Sequence, residues 1–141
     1  MFFGLPTSAI LLDAIALAAA LIYFPFLFVG VARVQVGYDI RSPRAMFDKL
    51  PAYGQRATWA HQNSFETFIP FTAAALMAYI TGQTAEWVAI CAIAFVIARL
   101  LYSIAYILNF AFARSLMFAI GSTATVALFA VSLLSVNSIL N

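Results

Sequence analysis

The chain has 141 residues, 65% of them hydrophobic and 9% charged, with a mean hydropathy of +1.01. Soluble domains carry about one-quarter charged residues, so an ordinary soluble fold is excluded and a polytopic α-helical membrane protein is expected. The formal charge of +2 marks no nucleic-acid partner.

Four apolar stretches follow one another, at about 8–33, 57–80, 86–109 and 115–138. Each offers the ~20 residues that an α-helix needs to cross the hydrocarbon core. The expected fold is an all-α integral membrane protein, a bundle of four transmembrane helices forming one domain over 1–141. The first stretch reads as a retained helix. Its lead-in, Met1-Phe-Phe-Gly-Leu-Pro6, has no basic residue, and its apolar run exceeds that of a signal peptide. Between Gln35 and Gln55, two prolines and two glycines predict a turn-rich loop, a basic connector that would lie on anionic headgroups. Cys91 is the sole cysteine, which precludes an intrachain disulfide and reads as a small buried apolar residue. No metal-spaced Cys/His cluster or nucleotide-binding glycine loop is present. Arg33, Arg41, Arg44, Lys49 and Arg56 crowd in or beside the first loop, and Arg114 lies near the third. The positive-inside rule then places both loops on the cytoplasmic side.

Against this apolar background the second and third stretches carry Asn63, Glu66, Arg99, Tyr102 and Tyr106. An ionised side chain at mid-depth costs at least ~2.5–3.5 kcal/mol on insertion scales, so such residues point to a site. Counting from Arg56, Asn63 and Glu66 lie about 10 and 15 Å deep; counting back from Asn109, Arg99 lies about 15 Å deep. Matched depth on antiparallel neighbours predicts a Glu66–Arg99 salt bridge. Trp59, Asn63, Glu66 and Pro70 share one helical stripe, and Arg99, Tyr102 and Tyr106 share another. Pro70 leaves the Glu66 carbonyl without its helical donor, so a kink is expected there. His61 points away from Asn63 and reads as an interfacial hydrogen-bonding residue.

These residues carry a family likeness. The run Arg56-x-x-x-Ala60-His61-x-Asn63-x-x-Glu66-x-x-x-Pro70-Phe71 resembles the second-helix signature of the MAPEG family, the membrane-associated proteins in eicosanoid and glutathione metabolism. The segment Arg99-x-x-Tyr102-x-x-x-Tyr106 is similar to the third-helix stretch of its leukotriene synthase branch, and Arg114-Ser115 falls where the family places an arginine, often followed by serine. The resemblance implies a homotrimer with glutathione, as thiol co-substrate, held between subunits near the cytosolic face. It implies Arg33, Arg56, Asn63, Glu66, Arg99, Tyr102, Tyr106 and Ser115 as glutathione-binding residues, with Arg114 as the catalytic residue that stabilises the thiolate. A guanidinium favours the anion and lowers the thiol pKa, and the thiolate is the nucleophile. Trp59 and Gln62 depart from the pattern, standing where the family often has arginines. Arg41, Arg44 and Arg56 are the basic groups left to meet the glutathione carboxylates.

The implied function is a membrane-bound glutathione transferase or peroxidase acting on hydrophobic electrophiles or lipid hydroperoxides. Its partners would be two further copies of the chain, membrane lipids and a hydrophobic small-molecule substrate. The alternative is a non-enzymatic lipid-binding or scaffold protein of the same fold, since fold alone does not set function. A small transporter subunit fits less well, because no inverted repeat is visible.

Overall fold

Four long helices and one short 3-10 segment make up the regular structure of residues 4–139, the range described by the computed structural model, and no strand occurs among them. They are α1 (Thr7–Gln35), the 3-10 segment (Pro43–Lys49), α2 (Ala52–Ile80), α3 (Glu86–Ile107) and α4 (Ala111–Ile139). Met1-Phe2-Phe3, used in reading the first stretch, and the extreme ends of the 1–141 domain lie outside the described residues. Three helices are long and apolar enough to cross a membrane: Thr7–Gln35, Glu86–Ile107 and Ala111–Ser138. The chain is therefore read as a membrane protein. The second helix is as long as the first, but Arg56, Thr58, His61, Gln62, Asn63, Ser64, Glu66 and Thr67 lower the hydropathy of its first half. Length suggested four spans; composition qualifies three.

Local chemistry sets where the helices stop. At the end of α2, Gly82 takes φ +66°, the Gly82 N–H donates to Tyr79 O and the Gln83 N–H to Ala78 O. This is a Schellman closure, which satisfies carbonyls that the helix end would leave open. The same closure ends α3. There Asn109 takes φ 66°, with Asn109 N–H on Tyr106 O and Phe110 N–H on Ala105 O. Asparagine is one of the few residues with a side chain that tolerates this region. The tight turn lets α4 begin at Ala111 rather than near 115, so Arg114 lies within its first turn.

The first loop corrects the sequence reading. Proline and glycine suggested turns throughout 35–55, yet the 3-10 segment occupies its middle and α2 already starts at Ala52 rather than 57. Pro51 acts as the helix cap, its carbonyl accepting from the Gly54 and Gln55 N–H groups at 2.8 and 3.1 Å. Gly54 serves packing, not a turn. A Cβ there would stand 2.6 Å from the Cβ of Ala32, so its absence lets α1 and α2 close on each other.

Packing pairs α1 with α2, α3 with α4, and α1 with α3, while α2 also meets both α3 and α4. Alanines line the seams: Ala14 and Ala18 of α1, Ala74, Ala75 and Ala78 of α2, and Ala92 of α3 are all buried. Small residues allow the close backbone approach on which helix association in membranes depends. Phe71 and Phe95 stack at 3.7 Å between ring centroids, with their planes 2° apart, and fix α2 against α3 just below the polar cluster. The helix α2 runs through Pro70 without interruption. His61 Nδ1 lies 2.7 Å from the carbonyl of Ile22, three residues before Pro25 in α1. A carbonyl only accepts, so the ring carries its proton on Nδ1, in keeping with a hydrogen-bonding role.

Candidate active site

The centre of the site is a relay of three side chains. Arg99, only 5% exposed, donates from Nη2 to Asn63 Oδ1 at 3.0 Å. Asn63 in turn donates from Nδ2 to Glu66 Oε2 at 3.1 Å. Guanidinium can only donate and carboxylate only accept, so these partners fix which way the amide points. The direct Glu66–Arg99 salt bridge expected from matched depth is absent. Asn63 stands between the two charges, because its amide is the one group of the three that both accepts and donates. Glu66 is exposed in the single chain.

A second chain of contacts runs along α3 to α4. The Arg99 guanidinium lies over the Tyr102 ring at 4.1 Å. Tyr102 meets Tyr106 edge-on at 5.5 Å, and the Arg114 guanidinium lies over the Tyr106 ring at 4.6 Å. Cations are attracted to ring faces at such distances. The three- and four-residue spacing of Arg99, Tyr102 and Tyr106 puts them on one face of α3, and the tight Asn109 turn brings Arg114 back onto it. Two aromatic residues flank this ladder from the other side: Trp59 lies 6.5 Å from Tyr106 and Phe47 lies 5.6 Å from Trp59. Phe47 comes from the 3-10 segment, and no sequence signal marked it.

Two cavities meet at Asn63 and Glu66. One, of about 380 Å³, is bounded by Trp59, Gln62, Tyr102 and Tyr106 along with the two shared residues. The other, of about 370 Å³, is walled mainly by apolar groups, among them Pro70, Phe95, Phe118 and Phe129, with Arg99 at its polar end. A polar chamber thus adjoins an apolar one, with the relay at their junction.

The other sequence candidates lie elsewhere. Arg56 donates from Nε to the carbonyl of Ile107 at 2.9 Å, closing the end of α3. Another cavity, which shares Gln62 with the polar chamber, is lined by Arg33 with Thr58, His61 and Phe65. Those α2 residues lie about 130° around the helix from the Asn63 stripe, at 100° per residue. Within one chain Arg33 does not join the relay. Ser115 is exposed, next to Arg114.

The family model described as MAPEG family matches residues 10–134, nearly the whole chain. The chain belongs to the MAPEG family. No curated protein and no solved structure matches it. Membership accords broadly with membrane glutathione-transferase and eicosanoid chemistry. In this MAPEG chain, six of the residues singled out by the family signature, Asn63, Glu66, Arg99, Tyr102, Tyr106 and Arg114, lie in one connected network.

Proposed function

We propose that this protein is a membrane-embedded glutathione transferase or peroxidase that crosses the bilayer four times and works as a homotrimer, with its site toward the cytoplasmic face. The observation that carries the reading is the junction of a polar and an apolar chamber at Asn63 and Glu66. A reaction between a water-soluble thiol and a bilayer-dissolved acceptor needs such a pair of adjoining spaces. Glutathione takes the polar chamber. The carboxylate of Glu66, held by Asn63, suits the amino end of the peptide, and the Tyr102 and Tyr106 hydroxyls suit its carbonyls. The apolar substrate takes the chamber beside Phe95 and Phe118.

Arg114, stacked on Tyr106, stabilises the thiolate. On loss of the thiol proton to water, the sulfur attacks an electrophilic carbon. A new C–S bond forms, and the leaving group or opened epoxide oxygen takes the electron pair. With a lipid hydroperoxide, two thiols are oxidised to a disulfide while the hydroperoxide is reduced to an alcohol and water. The departure at Trp59 and Gln62 leaves the polar chamber with few cations for the glutathione carboxylates, so affinity should be modest.

The test is a pair of measurements on purified protein: glutathione binding by calorimetry, and conjugation to a generic apolar electrophile. Arg114→Ala should cut turnover by about 10² or more while binding falls severalfold at most, the scale of losing one electrostatic stabiliser. Arg114→Lys should restore only part, because a point charge lacks the planar fork of donors. Unchanged turnover per folded Arg114→Ala protein would remove Arg114 from the chemistry. Absence of glutathione binding by the wild type would favour the lipid-binding alternative, to which the apolar chamber is also suited.

A further inference from the structure

A groove of about 310 Å³ runs between α1 and α3, walled by Ile10 and Leu17 on one side and by Ile93, Val96 and Ile97 on the other. Among its lining residues Asp13 alone carries a polar side chain. It shares no residue with the two chambers at the relay or with the cavity that Arg33 lines. Thr7 donates from Oγ1 to the Thr84 carbonyl at 3.0 Å, which ties the start of α1 to the turn before α3 and holds the two walls together. Both walls belong to helices long and apolar enough to cross a membrane. Asp13, Leu17 and Ile97 are exposed in the single chain, so the groove opens outward, toward lipid.

Depth and charge say what the groove takes. Asp13 lies about 9 Å from the start of α1 at Thr7. A helix of 29 residues is about 43 Å long against a hydrocarbon core of about 30 Å, so the carboxylate falls near where hydrocarbon begins. Leu17 and Ile97, one turn deeper than Asp13 and Ile93, continue the groove toward the middle of the bilayer. A carboxylate in such a place needs a partner, and the described residues offer it no cation. Of the seven lysines and arginines, Arg99 is turned into the relay. The other six gather at the far end of the bundle, from Arg33 through the connector to the starts of α2 and α4. Copies of one chain insert in one orientation, so a neighbour brings its cations to that far end too. We infer that the groove binds a single-chain alkyl ammonium ion, its head on Asp13 and its chain along Leu17 and Ile97. The volume is at the low end for small-molecule sites, which suits one chain. A phospholipid ammonium does not suit it, because the accompanying phosphate would meet no cation among the lining residues.

The experiment titrates purified protein, in a neutral detergent at pH 7, with dodecylamine or with dodecanol, and counts bound ligand by native mass spectrometry. The amine is protonated at that pH, as a lysine side chain is. It should bind about fivefold more tightly than the alcohol, the upper range for an ion pair open to solvent. Asp13→Asn should bring amine and alcohol to equal affinity. Ile97→Trp, which fills the deeper part of the groove, should weaken both. Equal affinity of the wild type for the two ligands would overturn the proposal, as would an Asp13→Asn protein, folded by circular dichroism, that keeps the preference. Undiminished binding by folded Ile97→Trp would place the amine elsewhere and overturn it as well. Displacement of the amine by an equal concentration of phosphatidylethanolamine would assign the groove to a lipid headgroup and overturn the assignment to a simple amine. Should Asp13→Asn not fold, salt decides on the wild type. A preference for the amine that shrinks as salt rises supports the ion pair; one insensitive to salt refutes it.

Discussion

The relay makes an energetic prediction that a direct salt bridge would not. Arg99 is almost fully buried, and the hydrogen bond it makes to another side chain ends on Asn63. Asn63→Ala therefore removes its acceptor and leaves a buried cation against the Tyr102 ring alone. Hydrogen bonds to charged groups contribute about 1.5–3 kcal/mol in soluble proteins. In membranes, measured couplings average about 0.6 and reach about 1.7 kcal/mol. With a charged donor and burial, the Asn63–Arg99 coupling should fall near that upper end, at about 1–1.7 kcal/mol. Glu66 reaches Arg99 only through Asn63 and is exposed. Sharing Asn63, the two still couple, but only through it, so the Glu66–Arg99 coupling should be clearly smaller than that of Asn63–Arg99. Two double-mutant cycles, Asn63→Ala with Arg99→Leu and Glu66→Ala with Arg99→Leu, measured by unfolding in one detergent, give both values. A Glu66–Arg99 coupling as large as that of Asn63–Arg99 would refute the relay and restore the direct pair.

Other predictions concern the frame around the site. Gly54→Ala puts a Cβ 2.6 Å from that of Ala32 and should destabilise by about 1–3 kcal/mol, as overpacking does. Ala32→Gly in the same chain should recover much of it, and an unchanged melting temperature for Gly54→Ala would mean that the helices are not so close. In a Cys91→Ala background, cysteines at Ser42 and Thr84 should react with an impermeant reagent from opposite faces of the membrane. Reaction from one face would remove a crossing by α2. Chemical cross-linking in native membranes should yield trimers, and monomers alone would count against a site shared between chains.

How much of this was legible in the sequence depends on what periodicity can carry. Spacings of three and four residues place Asn63 with Glu66 and Tyr102 with Tyr106, because the helix repeat dictates which side chains share a face. Periodicity says nothing of rotamers, so it pairs two charges at one depth directly and does not reveal the interposed amide of Asn63. Arg56 is a similar case. The resemblance offers it as a glutathione-binding residue, but its partner within the chain is a backbone carbonyl at the end of α3, which no side-chain pattern marks. Composition misled in the first loop. Pro51 starts a helix and Gly54 permits a contact, while the same residue types elsewhere make turns. The closure at Asn109 was equally hidden, although it decides that Arg114 folds back over Tyr106.

The polarity of α2 ties the site to its surroundings by magnitude. A carboxylate at depth costs at least ~2.5–3.5 kcal/mol on insertion scales. A hydrogen bond inside a membrane returns about 0.6, and rarely above about 1.7 kcal/mol. With α2 crossing the bilayer, as proposed, the single bond from Asn63 to Glu66 would leave a deficit that the isolated chain does not close. Trp59 is 44% exposed on the same stripe, and Gln62 beside it is exposed too, so this face of α2 is unfinished along its length. Water in the polar chamber, a cationic ligand group on Glu66, or a neighbouring chain has to supply the remainder. A bound peptide amine and a covering subunit would do so together. Detergents that dissociate the assembly should then abolish glutathione binding and lower the melting temperature in the same step.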